Sequence, residues 1–184
     1  MSVDRIQLSQ KSLLAAIGEE WPPDQVEAAL ELLAHSSGKF PAGVRRFPAE
    51  LIRAIQRERL IVAMLSAAAD LGYLETNVQD VIDRAGVSRP TFYEHFSNKE
   101  DCFLAAFDTS ADRLRKKIAA AARKGGDVWR DRIRFALEAL LGFANREPAT
   151  ARTMVVEARA ASATAVKRRV ELMDEFAGCL QGQA

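Results

Sequence analysis

Cysteine, histidine, tyrosine and tryptophan each occur only twice in 184 residues. The cysteines Cys102 and Cys179 and the histidines His35 and His95 stand far apart, with none of the close ligand spacing that a zinc site needs. Glycine is scarce as well, and it forms neither a phosphate-cradling loop nor the sharp turn around a nucleophilic serine. These absences argue against an enzyme and against any cofactor. Long hydrophobic runs are also missing: Met-Ser-Val-Asp-Arg opens the chain without an apolar stretch behind it, and nowhere do about 18 uncharged apolar residues follow one another. The expectation is a cytoplasmic protein with no membrane partner, whose isolated thiols stay reduced and serve as packing residues.

Charge of one sign is lacking too, since 26 Lys and Arg stand against 25 Asp and Glu for a formal net charge of +1. What is present is a globular composition, 48% hydrophobic and 28% charged, with room for one or two small domains. Its apolar residues recur with helical spacing throughout, so the fold class expected is all-α.

One stretch is more specific. In Asn77 to Phe96, Val78, Val81, Ile82 and Ala85 fall at i, i+3, i+4 and i+7, one face of a helix that either Thr76 or Asn77 can cap. Gly86 follows the last of them, where a left-handed residue turns the chain. Ser88 then caps a second helix with Pro90 in its first turn, and Val87 and Phe92 have the spacing of a hydrophobic staple. Phe92 and Phe96, four apart, face inward. Arg89, Pro90, Thr91, Tyr93, Glu94 and His95 are left outward, a surface able to meet base edges and phosphates in a DNA groove. The stretch reads as a helix-turn-helix.

With its surroundings it resembles the DNA-binding domain of the TetR (tetracycline-repressor) family of bacterial transcriptional regulators. The resemblance rests on Arg57-Glu-Arg-Leu-Ile-Val-Ala-Met-Leu, on Leu71-Gly72-Tyr73, on Ala85-Gly86-Val87-Ser88, on Thr91-Phe92-Tyr93-Glu94-His95-Phe96 and on Ser97-Asn98-Lys99-Glu100. It covers about residues 50 to 107 and continues only as helix order beyond. By similarity, Thr91, Tyr93, His95 and Lys99 clamp phosphates while Arg89 and Pro90 read bases. With the caps Thr76, Asn77 and Ser88 and the upstream pair Arg45 and Arg46, these make up the DNA-binding set. Placement must supply what total charge does not, because from Gln56 to Glu100 the acids Glu58, Asp70, Glu75, Asp80, Asp83, Glu94 and Glu100 outnumber the bases Arg57, Arg59, Arg84, Arg89 and Lys99. Arg53 adds positive charge just upstream.

Taken in order, residues 1–47 form an N-terminal extension of unassigned role. Leu8 to Ile17 has the makings of a short helix. Pro22-Pro23-Asp24 starts another, with Val26, Ala29, Leu30 and Leu33 on one face, and Trp21 is read as a contact residue or as an anchor to the main body. His35 reads as a surface residue. Phe40 to Pro48 is a linker whose Arg45–Arg46 pair is either solvated or a minor-groove or phosphate contact. The DNA-binding domain spans 48–107. Its first helix runs from Pro48 to Leu71, burying Leu60, Ile61, Met64, Leu65 and Ala68 before Gly72 closes it. After the recognition helix, Ser97 and Glu100 suggest a capping box, and a long fourth helix runs to about Ala122 with Lys99 in its first turn.

Residues 108–184 are expected to form a helical regulatory domain. Gly125-Gly126 ends the fourth helix, and Asp127 can cap a fifth carrying Val128, Ile133, Leu137, Leu140, Leu141 and Ala144. Pro148 starts a sixth with Ala149, Met154, Val155 and Ala158. A break at Ser162 to Thr164 precedes a last helix with Val166, Val170, Leu172, Met173, Phe176 and Leu180. Trp129, Phe135, Phe143, Met154 and Met173 are candidates to line an effector pocket, although such residues at helical spacing are more often plain core. The resemblance implies a homodimer on a palindromic operator in double-stranded DNA, released by a small-molecule effector. The two long helices that usually pair TetR-like chains are not recognised before Ala184, so a C-terminally short regulator is expected, either truncated and lacking autonomous dimerisation or pairing by other surfaces. The competing reading is a partner-dependent helical interaction module.

Overall fold

A computed structural model describes residues 21–22, 24–28 and 47–180. The expected helix at Leu8 to Ile17, the pair Arg45 and Arg46, His35, and Ala29, Leu30 and Leu33 lie outside the described residues. Of the extension, 24–28 is helical and Val26 is fully buried, with its N–H bonded to the Pro22 carbonyl, while Trp21 is half-buried.

All regular structure among the described residues is helical. Helix α1 spans Ala49–Leu71, α2 Val78–Ala85, α3 Arg89–His95, α4 Lys99–Ala122, α5 Trp129–Arg146, α6 Pro148–Arg152, α7 Ala158–Ala161 and α8 Ala163–Leu180. The chain divides into two compact units: one holds the residues up to Met64 with Asn77–Cys102, the other Leu65–Thr76 with Phe103 onward. The boundary therefore falls inside α1 and α4.

In the first unit, α1 contributes Leu51, Ile55, Leu60, Ile61 and Met64 to a core completed by Val81, Ile82 and Ala85 of α2, Phe92 of α3, and Phe96 and Cys102. Each of the larger aliphatic and aromatic side chains among them contributes roughly 1.5–3 kcal/mol on leaving water. Burial among apolar neighbours pushes the Cys102 thiol well above its usual range, so it stays protonated and unreactive.

The second unit draws its core from Leu65, Ala67, Ala68 and Tyr73, from Phe103, Ala106, Phe107, Ala111 and Leu114 along one stripe of α4, and from Phe143, Met154, Ala158, Ala165 and Leu172. Tyr73 meets Phe103 edge to face at 4.8 Å. Gly72 closes α1 at φ 85°, a left-handed conformation that a side chain resists. The Arg115 guanidinium holds Glu175 through two bonds of 2.7 and 3.1 Å, which raises its pKa further, and Arg168 pairs with Asp108. Being exposed, such pairs contribute at most about 1 kcal/mol each, so apolar packing dominates.

Several local expectations are corrected. Asn98, not Ser97, accepts the N–H of the third helical residue of α4, Asp101, at 2.9 Å, while the Asp101 carboxylate takes the Ser97 N–H. Glu100 is left out of that cap. Helix α5 starts from Val128 without a side-chain cap, because the chain passes through a 3-10 turn at Arg123–Gly125 before Gly126 reverses it, and Asp127 stays outside. Gly125 is required there: a Cβ would stand 2.3 Å from the Arg132 nitrogen. The buried stripe of α5 is rotated from the expected one, with Phe143 inside while Leu137 and Leu141 are exposed.

A π-turn at Thr153–Glu157, which the sequence pattern did not suggest, adds a residue to the helical path and turns Thr153, Met154 and Glu157 inward, leaving Val155 exposed. The inward polar groups are satisfied. The Thr153 hydroxyl donates to the Leu65 carbonyl, and the Glu157 carboxylate accepts the Tyr73 N–H at 2.9 Å and the Arg152 Nε–H at 3.4 Å. These bonds account for the Leu65–Thr76 segment belonging to the second unit.

Candidate nucleic-acid interface

Helix α2 begins at Asn77, whose side-chain oxygen accepts the Gln79 and Asp80 N–H groups at 2.8 and 3.2 Å, while the Asp80 carboxylate accepts the Asn77 N–H at 2.8 Å. That reciprocal box settles the choice of cap. Thr76 is instead buried, its hydroxyl donating to the Gly72 carbonyl at 2.7 Å, so it presents nothing to a duplex.

Gly86 ends α2 at φ 64° and its N–H returns to the Ile82 carbonyl at 2.9 Å. The turn is short, and α3 starts from Ser88, whose hydroxyl oxygen accepts the Thr91 N–H at 3.2 Å and lies 2.8 Å from the Thr91 hydroxyl. Pro90 occupies the first turn, where no N–H is needed. Phe92 and Phe96 are buried with ring centres 5.9 Å apart and act as the pivot of the helix. Opposite them Ser88, Arg89, Pro90, Tyr93 and Glu94 are exposed and Thr91 is half-exposed. The Tyr93 ring stands edge-on to Phe92 at 5.3 Å, which limits its freedom while half of it remains in solvent.

His95 is half-buried. Its Nε2 is sealed from solvent with no hydrogen-bond partner, leaving the other ring nitrogen as the one available to a phosphate. Burial pulls its pKa below 6.5; Glu94 opposes the shift, and Arg57 and Arg53 add to it. The imidazole is thus neutral at pH 7. The same couplings show that Arg53 and Arg57, one turn apart on α1, stand close to the end of α3, and the Arg57 guanidinium lies 5.5 Å over the Phe96 ring. Lys99 sits half-buried in the first turn of α4. Arg53 and Arg57 thus stand beside the recognition helix, although total charge in this segment is not positive.

Of the expected DNA-facing residues, Asn77, Ser88, Arg89, Pro90, Thr91, Tyr93, His95 and Lys99 fall within one compact unit, Thr76 is turned inward, and Arg45 and Arg46 are outside the described residues. Sequence reasoning missed two members of the surface. Arg57 was legible as part of the family motif and as one of the bases, but not as a residue of the DNA-facing surface. Gln79 is recognisable only from its partners, Arg89 and Asp83.

The effector candidates do not share one environment: Phe143 and Met154 are buried, Phe135 and Met173 half-buried, and Trp129 is 53% exposed. The Lys117 ammonium lies 5.1 Å over the Phe143 ring, and the Arg134 guanidinium 4.4 Å over Phe135. Among the described residues no group of three or more His, Cys, Asp or Glu is arranged to hold a metal, and no helix is long and apolar enough to cross a membrane.

Two short helices set at a left-handed glycine turn, with one buried aromatic face and one exposed polar face, define a helix-turn-helix DNA-binding protein. Residues 60–106 match the profile described as bacterial regulatory proteins, tetR family, and this segment is similar to the DNA-binding domain of that family. Over 105 residues it is 37% identical to the HTH-type transcriptional activator FasR of Mycolicibacterium smegmatis, covering 57% of this chain and 48% of that protein. Over 124 residues it is 30% identical to the HTH-type transcriptional repressor KstR of the same organism, covering 66% of this chain and 60% of that protein. The aligned part thus spans about half to three-fifths of these relatives' length. The family and both relatives are transcriptional regulators, not enzymes.

Proposed function

We propose that this protein is a cytoplasmic, ligand-responsive transcriptional repressor that binds an inverted-repeat operator as a homodimer. The observation that carries the reading is the exposed face of α3, where Arg89, Pro90, Thr91 and Tyr93 project from a helix pinned by Phe92 and Phe96. Two such helices, one from each protomer, would enter successive major grooves about one helical turn apart. Arg89 reads bases. Tyr93, Thr91, Lys99 and the outer nitrogen of His95 hold phosphates and set the register. The relatives are named one as an activator and one as a repressor; for an operator-bound dimer the simplest action is occlusion of a promoter, which makes it a repressor.

Dimerisation is supported by apolar pairs left exposed on the second unit: Leu137 and Leu141 one turn apart on α5, and Val166 and Val170 one turn apart on α8. A small molecule among the C-terminal helices would act through α4, which starts beside the recognition helix and continues as the apolar stripe Phe103 to Leu114. A ligand favouring one arrangement of that helix over another shifts the population competent for DNA.

Binding of fluorescent duplexes from the gene's own upstream region tests this. Tyr93→Ala and Lys99→Ala should weaken binding to every sequence, and Lys99→Ala should reduce the slope of log affinity against log salt by about one. Arg89→Ala should chiefly relax base preference. Unchanged binding in all three variants refutes the assignment.

A further inference from the structure

We propose that Gln79 is a positioning residue for base recognition, its amide holding the Arg89 guanidinium in the attitude in which it meets a base edge. The inference rests on the operator reading above. An Arg89 Nη2–H donates to Gln79 Oε1 at 3.0 Å across the turn, and Gln79 Nε2–H donates to Asp83 Oδ1 at 2.8 Å one turn further along α2. All three side chains are exposed, so the relay lies on the surface and not in the core.

The relay has only one consistent orientation. An amide flipped end for end would set its NH2 against the guanidinium and its oxygen against the carboxylate, so Arg89 and Asp83 each require the arrangement observed. The anchor at the other end is firm as well, because the Gln79 backbone N–H is held by the Asn77 cap at 2.8 Å. One of the five guanidinium N–H groups is committed to Gln79. Four remain, enough for the paired contact with the O6 and N7 acceptors of a guanine.

A long side chain on the first turn of a short helix otherwise samples many rotamers and loses that freedom on binding. Gln79 removes part of this loss before the duplex arrives, and it does so only for the attitude it enforces. Its effect therefore belongs to sequence preference and not to affinity at large. Asp83, an acid that would repel a phosphate backbone, acquires a role as the group that fixes the amide.

Selection of the full-length chain against a randomised duplex library, followed by sequencing, reads the preference at each base pair. Arg89→Ala should flatten one or two positions, by roughly five- to 150-fold in discrimination. Gln79→Ala should flatten those same positions by about two- to ten-fold and leave the rest of the profile intact. Asp83→Ala should follow Gln79→Ala. Asp83→Asn, which keeps an acceptor oxygen, should retain the unaltered preference. A profile left unchanged by Gln79→Ala, or lowered evenly across all positions, overturns the inference while the operator reading stands. No enriched motif with the unaltered chain overturns the operator reading and this inference together.

Discussion

His95 shows how one atom decides what a side chain does. Its Nε2 is enclosed without a partner, its neighbours on α1 are the cations Arg53 and Arg57, and Glu94 is the one acid that favours its charged form. Because the folded pKa lies below the ordinary value of 6.5, folded and unfolded chains both carry a neutral imidazole above that pH, and stability there is unaffected. Below it the unfolded chain takes up the proton first, so stability falls as pH drops from 6.5 toward the lowered value. Urea unfolding at pH 7.5 and 5.5 checks this: the loss on acidification should be smaller in His95→Gln than in the unaltered chain. An equal loss in both places the sensitivity elsewhere.

At the scale of elements, the π-turn at Thr153–Glu157 is the clearest departure from regular helix. Its buried Glu157 carboxylate caps the turn that follows α1, accepting the Tyr73 N–H inside the second unit. Glu157→Ala should therefore cost about 1–3 kcal/mol, the penalty of a buried donor left without an acceptor. Glu157→Gln keeps an acceptor oxygen and should cost less. Denaturant midpoints measure the loss, and hydrogen exchange at the Tyr73 amide should quicken in the alanine variant alone. An alanine variant as stable as the parent, with Tyr73 still protected, would show that another group takes over the cap.

For the whole molecule, a formal charge of +1 means that DNA binding depends on where cations stand, and it should fall steeply with rising salt. The exposed Leu137, Leu141, Val166 and Val170 make assembly the quantity to measure. Light scattering should give twice the chain mass of 20.3 kDa, free or with an operator duplex. The monomer mass under both conditions would remove the dimer and favour a partner-dependent module.

The helix-turn-helix was legible in sequence because each of its parts is local. The cap at Asn77, the left-handed turn at Gly86, the cap at Ser88 and the inward pair Phe92 and Phe96 are set within a few residues of one another, by side-chain reach and backbone sterics. The stop at Gly72 and the all-helical class follow for the same reason. Contacts between residues distant in sequence were decided only by the tertiary structure. Thr76 is turned inward, Arg57 is brought over Phe96, Arg89 is tied to Gln79 across the turn, and Glu157 reaches Tyr73 over a separation of 84 residues. Periodicity identifies an apolar stripe but not its exact bearing, which is why α5 buries Phe143 and leaves Leu141 in solvent. The rotation of a helix about its axis is set by the neighbour it packs against, and one residue of register, or one π-turn, is enough to change which side chains face inward.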